Sequence, residues 1–383
     1  MKIHITAAEA SGDLLGRELI EALRTRDPSL KLAGIGGAEM KAAGVESPID
    51  IAPLSVLGLV EGLRAYSDVK RLVADAADAI IAFDPEIAVL IDSWGFTIRL
   101  ADAVRARAPH IRLVKLIGPQ VWATRPGRVK TVAQAYDHLL AMTEMEPPLY
   151  VSTGLPVTVI GAPALSRTQP GDGPAFCAAH GIPLDVPLVL VLPGSRASEI
   201  KRVAPVLVDA ALEVRTQVPD AELVAIPAAS VADDFRARFG ATPGLRIIDA
   251  GEDRYDAMAA ATLALACSGT VTSELAVQRR PMIVGYKVGW ITWAIARFLL
   301  YRHTHITLLN IAAGDTEIVP EFVQTRFTPE RLAGAAIALL KDPAAAAAQI
   351  AAQDDALGLM GYGEAPAAEL AADAILALPV SSA

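Results

Sequence analysis

LVLVLPGSRASEIKR, residues 188–202, decides how this chain is read. Five apolar residues in a row signal a strand buried on both faces. The run breaks at Pro193-Gly194, and a polar, helix-starting stretch follows at once. Strand, glycine turn and helix N-terminus in that order place backbone N–H groups where they can meet an anion. Arg196 sits at the turn and adds a permanently charged, bidentate donor. The unit begins near the middle of 383 residues, so it reads as the first strand of a second domain.

Outward from this segment, apolar, β-branched runs alternate with helix-like stretches. They fall at 2–8, 30–37, 87–92, 111–118, 138–142 and 157–161, then at 188–192, 222–227, 245–249, 262–267 and 281–286. Many are followed by Gly, Pro, Ser or Asp, which is the pattern of βαβ units and parallel sheets. Pro170, Gly171, Gly173, Pro174, Gly181, Pro183 and Pro187 make 166–187 the linker candidate, with a short helix at 175–180. The expected organisation is a Rossmann-like domain over 1–165, a linker over 166–187 and a second such domain over 188–343. Alanine-rich helices over 344–383 then pack back on the body or on a partner. Two doubly wound sheets imply ligand binding at a cleft beside their carboxyl ends.

Composition narrows the function. Net charge is −9, from 34 basic and 43 acidic side chains, which argues against nonspecific nucleic-acid binding. Hydrophobic residues reach 53%, yet no run of about eighteen apolar residues lacks a charge. Glu9 and Asp13 arrive too early for a signal-peptide core, and two cysteines, Cys177 and Cys267, cannot build a disulfide framework. A cytoplasmic protein is expected.

Three turns carry the candidate chemistry. Ala7-Ala8-Glu9-Ala10-Ser11-Gly12-Asp13 ends the first strand; Ser11 and Asp13 suit a helix cap, while Glu9 is left over on the ligand side. Asp92 follows the apolar run 87–91, where partial desolvation raises a carboxyl toward a useful general base. Ser268-Gly269-Thr270 closes another apolar run and opens a helix, offering close backbone approach and two hydroxyls to a phosphate. Glu274 lies one turn further on, placed to accept from a ribose hydroxyl. Gly34-Ile35-Gly36-Gly37 is half a dinucleotide fingerprint, with Glu39 where the third glycine belongs. His303-Thr304-His305 offers two metal ligands but no nearby acidic or cysteine partner, so a structural or ligand-contacting role is expected. No Asp-X-Asp pair occurs, and neither metal nor cofactor is expected. Residues 288–302, with Trp290, Trp293, Arg297 and Arg302, form an amphipathic stretch suited either to a membrane interface or to packing on the body or a partner.

Glu9-Ala-Ser-Gly-Asp13, Pro119-Gln-Val-Trp-Ala123 with Arg125, Leu192-Pro-Gly-Ser-Arg196, Ser268-Gly-Thr270 with Glu274, Val284-Gly-Tyr286 and Val319-Pro-Glu-Phe322 occur in an order and spacing that resemble the lipid-A-disaccharide synthase family. The resemblance runs from the first strand to about residue 340. It implies a GT-B fold, two Rossmann-like domains facing a central cleft. It also implies metal-free, inverting transfer of a diacylated glucosamine from UDP to a diacylated glucosamine 1-phosphate. Such Gram-negative enzymes are peripheral to the cytoplasmic side of the inner membrane and often dimeric. On this resemblance Asp92 is the base, with Glu9 beside it, and Ser11, Gly12, Trp122 and Arg125 lie on the acceptor side. Arg196, with Gly194 and Ser195, and the 268–270 helix start neutralise the UDP diphosphate. Glu274 and the loop from Gly251 to Met258 hold ribose and uracil, and Asn310 sits near the donor sugar. Departures gather on the acceptor side: Gly95 replaces a second aspartate, Glu144-Met145-Glu146 a Pro-Phe-Glu segment, and Gly161-Ala162-Pro163 a Gly-His-Pro segment; Leu308-Leu309-Asn310 stands for Leu-Pro-Asn. A glycosyltransferase with another glycolipid acceptor, or a UDP-sugar epimerase on the same scaffold, remains an alternative.

Overall fold

The computed structural model describes residues 1–50, 64–122, 125–249, 251–289, 293 and 303–379. The chain forms two compact units, Met1–Ser166 with Gly363–Ala383, and Arg167–Tyr362.

In the first unit β1 (Lys2–Thr6), β2 (Lys31–Ile35), β3 (Ile87–Ile91), β4 (Arg112–Leu116), β5 (His138–Ala141) and β6 (Val157–Val159) form one sheet in the order β2-β1-β3-β4-β5-β6. Every pairing is parallel. Helices cover both faces, so the central strands cannot alternate apolar with polar residues, and all five residues of β3 are buried. Alternation survives only as a choice of face. Ile87, Val89 and Ile91 join the core beneath the Ala10–Arg26 helix, while Ala88 and Leu90 join the core beneath the Arg64–Phe83 and Trp94–Arg107 helices. Each fully buried Ile, Leu or Val contributes about 1.5–3 kcal/mol.

The second unit repeats the plan with β7 (Leu188–Leu192), β8 (Glu222–Ala225), β9 (Leu245–Ile247), β10 (Leu263–Cys267), β11 (Met282–Tyr286) and β12 (Glu321–Val323), ordered β12-β11-β10-β7-β8-β9 and again wholly parallel. The eleven strands expected from apolar runs are all present. The twelfth, β12, was not foreseen: three residues behind Pro320 at a sheet edge leave no run to detect. Both sheets reverse their winding once, between β1 and β3 in the first and between β7 and β10 in the second. Doubly wound sheets bind ligands at the carboxyl ends of the strands flanking such a switch.

The glycine-rich 166–187 stretch is not slack. It contains the Gly173–His180 helix, capped by the Asp172 carboxylate accepting from Ala175 N at 2.9 Å. Gly171 and Gly173 press against backbone of the Arg254–Ala260 helix; a Cβ would come within 2.2 Å of Tyr255 O at the first and 2.6 Å of Ala259 O at the second. These glycines permit contact rather than bending.

The C-terminal helices divide. Pro343–Leu359 belongs to the second unit, where Gln349 accepts from Met282 N at 2.7 Å. Ala367–Leu376 belongs to the first, burying Ala368, Ala371, Ala372 and Ile375 against the Ala10–Arg26 helix, with Arg26 paired to Asp373 and Glu369. Among the described residues no single helix is long and apolar enough to cross a membrane. The Pro329–Lys341 and Pro343–Leu359 helices reach that length only together, and they bend by 101°. Of the amphipathic stretch 288–302, residues 290–292 and 294–302 lie outside the described residues.

Candidate active site

At the first switch point β1 and β3 deliver Glu9 and Asp92 side by side. Glu9 is the N-cap residue of the Ala10–Arg26 helix and is exposed, without a capping bond from its side chain. Instead its Oε1 accepts from Ser93 Oγ at 2.7 Å, which ties the two strand ends together. Asp92 N still donates to Leu116 O at 2.9 Å, so the residue is held to β4 while its φ turns to +41°. Ser93 follows at φ +38°. Two consecutive non-glycine residues in the left-handed region store strain, a feature concentrated at functional sites.

The Asp92 carboxyl is half-buried. Desolvation pushes it above the usual carboxylate range; the Lys115 ammonium pulls against that rise, and Glu9 reinforces it. Lys115 was not foreseen. It stands in β4 inside an apolar run, wholly buried, with Nζ donating to Asp92 O and, at 2.8 Å, to Thr97 Oγ1. Burial draws its amine down to about 7, against the opposing pull of Asp92 and Glu9. A lysine in the middle of an apolar strand was the available signal.

The expected acceptor-side residues spread over this end of the sheet. Ser11 is exposed on the first turn after β1, and Gly12 is buried, with Ala7 and Ile91 each 3.5 Å from where its Cβ would stand. Half-buried Trp122 and exposed Arg125, the latter at φ +49°, lie in the loop after β4. Gly95 is exposed where the family pattern has an aspartate. Beyond β5, Glu146 is buried and accepts from Met142 N at 2.9 Å and Thr143 N at 3.3 Å; desolvation lifts it to about 7.

Asp13 corrects the sequence reading of a local cap. Its buried carboxylate accepts from Gly37 N at 2.6 Å, Glu39 N at 2.9 Å and Met40 N at 3.2 Å, capping the Ala38–Ala42 helix that follows β2. This also explains the glycine pair 36–37. A Cβ on Gly37 would lie 2.6 Å from Asp13 Oδ2, and one on Gly36 2.3 Å from Met40 Sδ.

At the second switch point the turn after β7 departs from expectation. Its amides were to face an anion, but the chain supplies that anion itself. Glu199, buried, accepts from Ser195 N at 2.8 Å, Arg196 N at 3.2 Å and Arg196 Nη1 at 2.9 Å. Gly194 makes room: its φ is +107°, and a Cβ there would stand 2.4 Å from Glu199 Oε2. The Arg196 side chain remains 71% exposed while Glu199 is 5% exposed, so one end of the guanidinium is anchored and the other faces solvent. Tyr286, at the end of β11, brings its hydroxyl to 3.5 Å from Glu199 Oε1.

The neighbouring turn after β10 is open. Gly269 and Thr270 are exposed, and no side chain caps the Thr270–Val277 helix. Its N–H groups and dipole therefore point outward beside Arg196's strand. β7 and β10 are directly paired, Leu192 opposite Ala266, so the two turns emerge at adjacent strand ends. Glu274, one turn along, accepts from Arg254 Nη2 at 3.1 Å, and the same nitrogen meets Tyr255 Oη at 2.7 Å. Burial raises the Glu274 carboxyl, opposed by Arg254 and by a hydrogen bond from Tyr255. Gly251 opens this segment, exposed at φ +50°.

Two expected ligand contacts are consumed internally. Met258 is buried in the core. Asn310 is fully buried; its Nδ2 donates to Val319 O at 2.9 Å and Glu321 Oε2 at 3.2 Å, and its Oδ1 accepts from Ile318 N at 2.9 Å and Val319 N at 2.8 Å. No capacity is left for a sugar. The histidine pair does have acidic partners, contrary to the sequence reading: His305 Nδ1 lies 3.1 Å from Glu321 Oε1, and His303 Nδ1 3.8 Å from Asp315 Oδ1. They form two separate pairs that pin the 303–321 segment, and among the described residues no three such groups converge as a metal site.

Comparison with known proteins bears on the family and the fold. Residues 3–375 match the family model described as lipid-A-disaccharide synthetase. A lipid-A-disaccharide synthase of Ruegeria pomeroyi is 37% identical, the match covering 98% of this chain and 95% of that protein. One from Paramagnetospirillum magneticum is 38% identical, covering 98% and 97%. Among solved structures, the UDP-GlcNAc 2-epimerase of Neisseria meningitidis bound to UDP-GlcNAc superposes with TM-score 0.61 at 11% identity, covering 98% of each chain. A glycosyltransferase of Rickettsia africae gives 0.56 at 12%, covering 98% and 97%. The distant structures establish the α/β fold of GT-B type, and the full-length matches establish kinship: this chain belongs to the lipid-A-disaccharide synthetase family.

Proposed function

We propose that this chain is an inverting, metal-independent hexosyltransferase that joins UDP-2,3-diacylglucosamine to 2,3-diacylglucosamine 1-phosphate, giving lipid A disaccharide 1-phosphate and UDP. The observation that carries this reading is the chemistry of the two switch points in a chain of this family. One presents a half-buried carboxylate, the other an exposed guanidinium beside an uncapped helix start.

Asp92 takes the proton of the acceptor hydroxyl as its oxygen bonds to the anomeric carbon. The bond from that carbon to the diphosphate breaks, and UDP leaves with the electron pair. Attack from the face opposite the leaving group inverts the anomeric centre. Glu9, linked to Ser93, keeps the Asp92 turn in place and adds negative charge that favours proton uptake. Arg196, held from behind by Glu199, and the N-terminus at Ser268, Gly269 and Thr270 meet the charge that grows on the diphosphate. Glu274 with Arg254 and the segment from Gly251 serve the nucleoside. Ser11, Gly12, Trp122 and Arg125 serve the acceptor. Because both substrates are acylated, the enzyme works at the cytoplasmic surface of the inner membrane.

The test is direct. Purified protein is incubated with UDP-diacylglucosamine, with and without diacylglucosamine 1-phosphate, and UDP and lipid products are followed. Disaccharide and UDP in equal amounts, formed only with acceptor, are expected. UDP-sugar isomerised without acceptor, or bound without turnover, overturns the reading.

A further inference from the structure

We infer that Lys115 is a positioning residue for Asp92, holding the carbonyl of that residue in its left-handed turn and keeping its carboxylate ionised through a buried positive charge. The inference rests on Asp92 being the base. A lysine is costly to bury, and wholly buried lysines are rare unless paired. Among the described residues no carboxylate bonds to it directly: its Nζ donates to Asp92 O and Thr97 Oγ1. Both contacts converge on the Asp92 carbonyl, since the Thr97 hydroxyl in turn reaches Asp92 O at 2.8 Å and the next carbonyl, Ser93 O, at 3.1 Å. Lys115 and Thr97 therefore satisfy the Asp92 carbonyl at the turn where φ is +41°, while Ser93 O is taken by the Phe96 and Thr97 amides at 3.0 Å.

The groups facing the amine come from every element around it. Asp92 at the end of β3 and Glu9 beyond β1 act on it as negative charges. The Tyr136 ring, just before β5, lies 5.9 Å from Nζ, and the Trp94–Arg107 helix contributes the Thr97 hydroxyl. Reciprocally, the ammonium opposes the rise that burial imposes on Asp92. The amine titrates about pH 7, so on the acid side it is charged while Asp92 is called on to remain ionised. Removing the charge lets Asp92 protonate at higher pH.

Lys115→Gln keeps a donor without the charge, and Lys115→Met removes both. kcat against pH, UDP affinity and thermal melting are measured for each. Lys115→Met is expected to lower kcat at least about tenfold while UDP affinity, a property of the other unit, stays within about twofold. Lys115→Gln is expected to recover most of kcat above pH 7 and to move the acid limb to higher pH by about half a unit or more. Acid limbs that coincide with the wild type in both variants overturn the inference. If Lys115→Met does not fold, Thr97→Val replaces it. That variant keeps the charge, so kcat falls and the limb stays. Asp92→Asn separates the two levels. Wild-type turnover there removes the base reading itself, whereas an inactive Asp92→Asn with an unmoved limb in Lys115→Gln removes only the role of Lys115.

Discussion

At the first switch point two carboxylates, Glu9 and Asp92, stand over one buried amine; at the second, one buried carboxylate, Glu199, stands behind an exposed guanidinium. The sheets share a winding rule and a parallel register, and both place their chemistry just past a strand end. They differ in which charge is buried and which faces outward. An outward carboxylate over a buried cation is suited to receiving a proton. An outward cation backed by a buried anion is suited to receiving a diphosphate. The scaffold sets where a site lies, and a few side chains at the strand ends set its sign.

The largest expected effect breaks the first half of that comparison. Asp92→Asn should lower kcat by about 10²–10⁴ while UDP affinity changes less than about twofold, read by steady-state kinetics and by calorimetric titration with UDP. Arg196→Met strikes the second half. UDP binding should weaken by about tenfold to a hundredfold, and raised salt should weaken it less than in the wild type. Gly194→Ala attacks the support rather than the contact. With φ at +107° and Glu199 in the way, it should cost about 2 kcal/mol in the second unit, seen as earlier melting and faster proteolysis there. Asn310→Ala strands the Ile318 and Val319 amides, so stability should fall by about 2–3 kcal/mol while the UDP affinity of folded protein holds. A selective loss of UDP-sugar binding in that variant would restore Asn310 as a donor contact. The smallest effect is pH-linked. Glu146 is raised to about 7 in the folded chain from the ordinary 4.5, so the folded state holds the extra proton between those values and loses stability as pH rises through them. Glu146→Gln should therefore melt a few degrees higher than the wild type above pH 7, the gain fading toward pH 4.5.

What the sequence made legible was position. Apolar runs located eleven strands, and the residues just past them, Glu9, Asp92, Arg196 and Ser268, fell at the switch points because parallel sheets put their loops there. What it hid was partnership. Glu199 lies in the quoted 188–202 segment, yet only the folded turn shows its carboxylate occupying the Ser195 and Arg196 amides. Asp13 looked like a local cap and serves a helix some 25 residues away. Asn310 and Met258 are ligand contacts only by the family resemblance, and burial turns both inward. Lys115 is a single charge in an apolar run, and such a charge reads as noise until its neighbours are known.

The return of the Ala367–Leu376 helix has a consequence for how the protein is made. Ala368, Ala371, Ala372 and Ile375 complete the core that begins with Ile3 and Ile5. As the ribosome emits the chain, the first sheet is finished early, but the apolar patch beside the Ala10–Arg26 helix stays uncovered until the second unit has been synthesised. At about 5–20 residues per second that interval is on the order of tens of seconds. During it, the surface under the missing helix is available to chaperones and to other nascent chains. A chain interrupted before residue 367 would leave the half carrying Asp92 incomplete, though every residue of that sheet is present.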